Sequence, residues 1–229
     1  YEAEVTASLE HPNIMPVYDI GQDENGCPYY TMKLLKGQTL ADYLGTSKAD
    51  HQSKDSFEIF MKICDAVSFA HRKNVIHRDL KPENIIIGDF GEVLVLDWGL
   101  AKILNEPSQF LENEALINLS SDLTQCGTIM GTPGFMAPEQ IENADQADQK
   151  CDVFSLGCIF FNMLNLKAPF QGKGRDEILQ KVKGTSVESF AKNVPPSARA
   201  VCRKSMSSKA EDRYQSVEEL LIEVRKIQG

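Results

Sequence analysis

The 229-residue sequence predicts an α+β fold in which a few short strands precede a mostly α-helical body. Three observations lead there. The runs "IMPVYDI" and "CPYYTMKLL" have strand composition and flank the turn-rich "GQDENG". "SFEIFMKICDAVSFAHRKN" places Phe57, Phe60, Met61, Cys64, Val67 and Phe69 close to helical period. From Ile141 onward almost every run reads as helix.

Taken in order, "YEAEVTASLEH" reads as the end of a helix, with Val5 and Leu9 spaced i, i+4 and "HPN" stopping it. The two strand runs then form an antiparallel pair, and the Phe57-to-Phe69 stripe marks a core helix. "VIHRDLKPENIII" crowds charged residues between two apolar runs. A polar turn there is ordinarily only a solvated face, but Pro82 bars helix and biases Lys81 to an extended backbone, so this segment is a held loop. "EVLVLDWG" is a short strand delivering Asp97 at its end, and "GDFGE" before it suits a tight hairpin. From Asp97 to Pro138 regular pattern is scarce, and loops this long are commonly functional or disordered. "CDVFSLGCIFFNML" is apolar all round and so buried on every side. Pro195 and Pro196 break the later helices, and "SVEELLIEVRKI" is an amphipathic closing helix. No internal repeat is visible.

Composition narrows the function classes. With 42% hydrophobic and 25% charged residues the chain is a soluble globular protein. Its net charge of -9 argues against a nucleic-acid backbone as partner, leaving only local basic spots. Six cysteines without C-x-x-C spacing suit a reducing, cytoplasmic setting. No apolar run is long enough to span a bilayer, so no membrane contact is expected from this segment.

Two carboxylates and an amide carry the chemistry. Asp79 and Asn84 share one loop in a D-x-x-x-x-N arrangement, and the hairpin brings Asn84 and Asp97 to one sheet edge. Two such oxygen donors suit magnesium, which takes few protein oxygens and completes its shell with phosphate and water. Asp79 is then left to act on a hydroxyl.

These residues resemble the eukaryotic-type serine/threonine protein kinase family. "HRDLKPEN" (77–84) is similar to its catalytic loop, "DWG" (97–99) to its metal-binding D-F-G, and "APE" (137–139) to the end of its activation segment; "CDVFSLG" and "EDRYQS" continue the match over essentially the whole chain. "HPNIMPVYDIG" and "VLDWGLAK" look most like the bacterial branch. The resemblance implies a protein-kinase-like fold with a helical C-terminal lobe (37–229) and a remnant of the β-rich N-terminal lobe (1–36). It implies transfer of the ATP γ-phosphate to a protein hydroxyl: Asp79 orienting that hydroxyl, Lys81 steadying the phosphate, Asn84 and Asp97 holding Mg2+. Lysine two residues after the aspartate is the serine/threonine pattern. By the same resemblance Met32 is the gatekeeper, Lys33 to Leu35 form the hinge and Ile86 lies under adenine, although Met32 and Ile86 also read as plain core. Arg78 implies control by activation-loop phosphorylation. His77 with Asp152, and Glu139 with Arg213, imply internal supporting pairs.

The sequence also departs from the family. The glycine-rich loop and strand lysine are absent, and Glu2 falls at the helix glutamate that would pair with that lysine. "GKGR" (172–175) is no substitute and reads as a turn. The expectation is therefore a fragment of a longer kinase, weak or inactive alone, with an exposed sheet edge that invites association or instability, and with self-association as a route to activation-loop phosphorylation. Trp98 replaces the usual phenylalanine. "FLENEALINLSSDLTQ" has the pattern of a short docking helix. Thr124 and Thr128, with Ser120 and Ser121 behind them, are candidate phosphorylation sites, and Thr132 is expected to contact the catalytic loop. A pseudokinase scaffold is the rival reading, but the retained polar set gains little without metal or phosphate. A small-molecule kinase is disfavoured by "GTPGFMAPE".

Overall fold

The computed structural model describes residues 9–24, 27–46, 54–98, 102–103, 133–143 and 147–228. In chain order it runs through β1 (Val17–Gln22), β2 (Pro28–Met32) and β3 (Gly37–Thr39), then α1 (Leu40–Thr46) and α2 (Lys54–Arg72). Next come β4 (Val75–Ile76), a 3-10 turn at Pro82–Asn84, β5 (Ile85–Gly88), β6 (Val93–Val95) and β7 (Lys102–Ile103). A second 3-10 turn (Pro133–Phe135) leads into α3 (Pro138–Glu142), α4 (Gln149–Asn165), α5 (Arg175–Lys183), α6 (Pro196–Ser205) and α7 (Val217–Gln228), with a third 3-10 turn at Ala210–Asp212. The fold is the expected α+β arrangement of a small amount of sheet on a helical body.

β1 and β2 pair antiparallel, Val17 opposite Met32 and Gln22 opposite Pro28. Their turn is closed by Asp23, whose side chain accepts the Cys27 N–H at 2.8 Å, the local hydrogen bonding that favours aspartate in turns. A second sheet, in the order β3-β5-β6, is antiparallel throughout. β3 was not legible as a strand, because three residues are too few to show a period. Thr39 then starts α1: its hydroxyl accepts the Asp42 N–H at 3.0 Å, which satisfies one of the free donors of the first turn.

α4 is the centre of the helical body. Every residue from Cys151 to Leu164 except Asn162 is buried, as its all-round apolar sequence requires. Asp148 caps it by accepting the Lys150 N–H at 2.8 Å. α4 packs against α2, α6 and the Pro133–Phe135 turn, while α2 also packs on α7. Phe60 of α2 stacks on Phe160 of α4 with ring centroids 4.5 Å apart. Cys64, Cys151, Cys158 and Cys202 lie buried and free in these helices, as small hydrophobes. The prolines correct one expectation: Pro195 and Pro196 do not break a helix but start α6, where a missing N–H costs nothing.

α4 meets α6 tightly at Gly157, where an added Cβ would lie 2.5 Å from the Ser205 Cβ. Gly157→Ala gains helix propensity of up to about 1 kcal/mol but overpacks the contact by about 1–3 kcal/mol. The expected outcome is a lowered urea midpoint, and a midpoint equal to or above the parent's would show that the helices can move apart freely.

Candidate active site

The polar loop of residues 77–84 hangs between β4 and β5. Lys81 is extended (φ -156, ψ 161), as the following proline dictates, and Pro82 occupies the first position of the 3-10 turn. β5 returns through β6 by a turn in which Gly91 adopts φ 81, a conformation that favours glycine. β6 ends at Val95, two residues before Asp97. The Leu96 N–H donates to the Asn84 carbonyl at 2.8 Å, so the chain carrying Asp97 is tied directly to the loop carrying Asn84.

Asp79 is the convergence point. Lys81 Nζ forms an ion pair with its Oδ2, with side chains 15% and 20% exposed, so the pair is sheltered but open to a reactant. Asn84 Nδ2 donates to the same Oδ2 at 3.1 Å and to the Asp79 carbonyl at 2.9 Å. Oδ1 accepts no hydrogen bond among the described residues and is left for another donor. Because the Asn84 amide nitrogen is committed to Asp79, its oxygen is the atom left for a cation. Asp97 is exposed and follows within the same tied segment. No cluster of three or more His, Cys, Asp or Glu side chains that could hold a metal occurs among the described residues. An amide oxygen and one carboxylate fit magnesium held jointly by protein and phosphate oxygens, and do not fit a closed metal cage.

Asp152, wholly buried on α4, fixes the loop backbone. Its Oδ2 accepts the His77 N–H at 2.9 Å and its Oδ1 accepts the Arg78 N–H at 2.9 Å. His71 Nε2 donates to Oδ2 at 2.8 Å. Burial alone would raise the Asp152 pKa, but the His71 hydrogen bond and charge, joined by His77, bring it below the ordinary carboxylate value. The resemblance implied a supporting pair of Asp152 with His77, and the two are hydrogen-bonded. His77 meets Asp152 through its backbone, while its ring Nε2 donates to the Leu96 carbonyl at 2.9 Å and its Nδ1 accepts the Asp79 N–H at 3.3 Å. The side-chain partner is His71, which sequence reasoning passed over. Its one signal was a titratable residue four positions after Val67 in the buried stripe of α2.

His77 also packs on Trp98, with ring centroids 4.5 Å apart, and Trp98 is 1% exposed. The residues on both sides of Asp97 therefore meet one imidazole. Both Arg78 and Asp97 have left-handed backbones (φ 65 and φ 58), strained for non-glycine residues and held by these contacts. Arg78 is half-buried, and its carbonyl accepts Gln140 Nε2 at 2.7 Å. Gln140 also accepts the Ala137 N–H at 3.1 Å, so α3 is stitched to the loop by a residue with no sequence signal. Glu139 and Arg213 form a bidentate ion pair (2.6 and 2.7 Å), and Arg213 donates further to the carbonyls of Ser207, Ser208 and Lys150.

The residues expected around adenine are placed less closely. Ile86 is half-buried in β5 opposite Thr39 and Leu94, Leu35 is half-buried, and Lys33 and Met32 are exposed, Met32 at 44%. Glu2, Ser120, Ser121, Thr124, Thr128 and Thr132, and the segment expected to form a docking helix, lie outside the described residues.

The sequence family described as protein kinase domain matches residues 1–223. The chain belongs to this family. The kinase domain is 36% identical over 245 residues to the serine/threonine-protein kinase PknD of Protochlamydia amoebophila, covering 97% of the chain and 24% of that relative. It is 37% identical over 239 residues to PknD of Chlamydia trachomatis serovar D (96% and 25%) and 34% identical over 244 residues to PknD of Chlamydia caviae (100% and 26%). These are bacterial proteins, in line with the branch read from the sequence. The chain spans about a quarter of the length of these relatives.

Two outcomes follow from the supporting pairs. Glu139→Ala leaves the buried Arg213 guanidinium without its carboxylate and is expected to cost about 3 kcal/mol, the low end for a buried pair because Glu139 is a quarter exposed; an unchanged unfolding midpoint would contradict this. Asp152 has a folded-state pKa below its unfolded one, so its charge contributes stability that is fully present above about pH 4 and is lost as pH falls through the folded value. The stability gap between the parent and Asp152→Asn should therefore be constant near neutrality and narrow in acid. A gap that widens on acidification would reverse the sign.

Proposed function

We propose that this kinase domain transfers the γ-phosphate of ATP to a serine or threonine hydroxyl of a protein. The observation that carries the reading is Asp79, whose Oδ2 is held by Lys81 and Asn84 while Oδ1 accepts no hydrogen bond from a described residue. Oδ1 takes the hydroxyl proton as the acceptor oxygen bonds to the γ-phosphorus, the β–γ P–O bond breaks and ADP leaves. Lys81, already beside that carboxylate, neutralises charge on the moving phosphoryl group. Asn84 Oδ1 and the Asp97 carboxylate hold Mg2+, which when bound offsets the charge of the ATP phosphates. The protein supplies mainly position and electrostatics, which suits a loop whose backbone is pinned at His77, Arg78 and Leu96.

The finer assignments belong to the same proposal. Met32, Lys33, Leu35 and Ile86 contact adenine, residues 1–36 form part of a nucleotide lobe and 37–229 the catalytic lobe. Glu2 serves the phosphates, Arg78 answers phosphate on Thr124 or Thr128, with Thr132 against the loop, and self-association brings those threonines to a second copy. ATP use and free cysteines support a cytoplasmic site of action. No helix among the described residues is long and apolar enough to cross a membrane.

The decisive comparison is between the full-length protein and its Asp79→Asn variant. The variant should lose about 10²- to 10⁴-fold in kcat for a protein or peptide acceptor, with magnesium-dependent ATP affinity kept within a few-fold. If the parent neither binds ATP with magnesium nor transfers phosphate, a scaffold role replaces the enzymatic one.

A further inference from the structure

A cavity of about 280 Å³ opens beside the catalytic loop, at the meeting of α1, the Pro82–Asn84 turn, Phe135 and the end of α4. None of Met32, Lys33, Leu35 and Ile86 lines it, so it is not the expected adenine site. It is small beside the clefts that take whole cofactors, and its size suits one side chain.

The walls are chiefly apolar: Leu44, Pro82, Phe135 and Leu166, with Gly45 and Ala168 leaving the space open. Two charged residues of opposite sign border it, Glu83 and Lys167, and Lys167 lies 3.7 Å from Glu188. Leu166 is the telling residue. It ends α4 in the left-handed conformation (φ 54), where glycine is usual, and its side chain stays 43% exposed. A leucine held in that strained state at a cavity rim offers apolar surface that the fold itself does not bury.

Resting on the kinase reading above, we infer that this cavity selects protein substrates carrying a leucine- or methionine-sized apolar side chain near the phosphate-accepting hydroxyl. Pro82 is three residues from Asp79, a chain reach of at most about 10 Å. An extended substrate advances about 3.3 Å per residue. The selected side chain therefore lies within about three residues of the acceptor.

The test uses the full-length protein and serine-acceptor peptides bearing leucine, alanine, arginine or glutamate at each position within about four residues of the serine. Leucine over alanine should raise kcat/KM by about tenfold or more at one position. Gly45 lines the cavity and a Cβ there meets nothing within 4 Å, so Gly45→Leu adds bulk at its wall without strain and should reduce that ratio to near unity, whereas Gly45→Ala should keep it. Fluorescence anisotropy with the same peptides, serine replaced by alanine, reads binding without transfer. Leucine-selective binding that Gly45→Leu removes, in a protein that phosphorylates nothing, would uphold the cavity's selectivity and sink the kinase reading. Efficient phosphorylation with arginine favoured at every position, or a leucine preference that survives Gly45→Leu, would overturn the inference and leave the kinase reading intact.

Discussion

The Asp152 carboxylate is the constraint on which the rest of the site depends. It lies wholly buried on the most enclosed helix, where an unpaired charge would be costly. It is tolerated because the backbone N–H groups of His77 and Arg78 and the ring of His71 all donate to it. The exchange is reciprocal: the loop cannot satisfy those two donors from its own irregular backbone, and α4 cannot hold the charge without them. A flexible polar loop thereby acquires the rigidity of the core.

The same helix fixes the neighbouring segment. Ser155 donates to the Phe135 carbonyl at 2.7 Å, which holds the turn before α3, and Arg213 binds both Glu139 and the Lys150 carbonyl near the start of α4. Gln140 then joins α3 to the Arg78 carbonyl. His77 extends the network in the other direction, through Leu96 and Trp98, to either side of Asp97. For chemistry that relies on position more than on covalent participation, such cross-bracing matters more than any single contact. It also explains how Arg78 and Asp97 keep backbone conformations that neither residue prefers.

The cavity at the end of α4 arises from the same geometry. α1, the turn after Lys81, the Phe135 segment and the end of α4 border one space, and Ser155 of α4 holds the Phe135 segment at its edge. The cavity and the loop carrying Asp79 thus share one scaffold, and a change in α4 would be felt by both.

Some of this was legible in the residues alone. The stripe of α2, the all-apolar run of α4 and the extended backbone at Lys81 follow from periodicity and proline sterics, which act within a few residues. The ordered motifs around Asp79, Asn84 and Asp97 were readable for the same reason. What the sequence could not disclose were partners distant in the chain. His71 reaches Asp152 across 81 positions, and Gln140 reaches Arg78 across 62. Nor could it show that His77 would meet Asp152 by its backbone while its ring faced Leu96, or that Pro195 and Pro196 would open a helix. The sequence by itself determined the local conformations and the chemical inventory. Only the tertiary structure decided which of those groups satisfy one another, because a buried polar atom takes whatever partner packing brings within hydrogen-bonding distance.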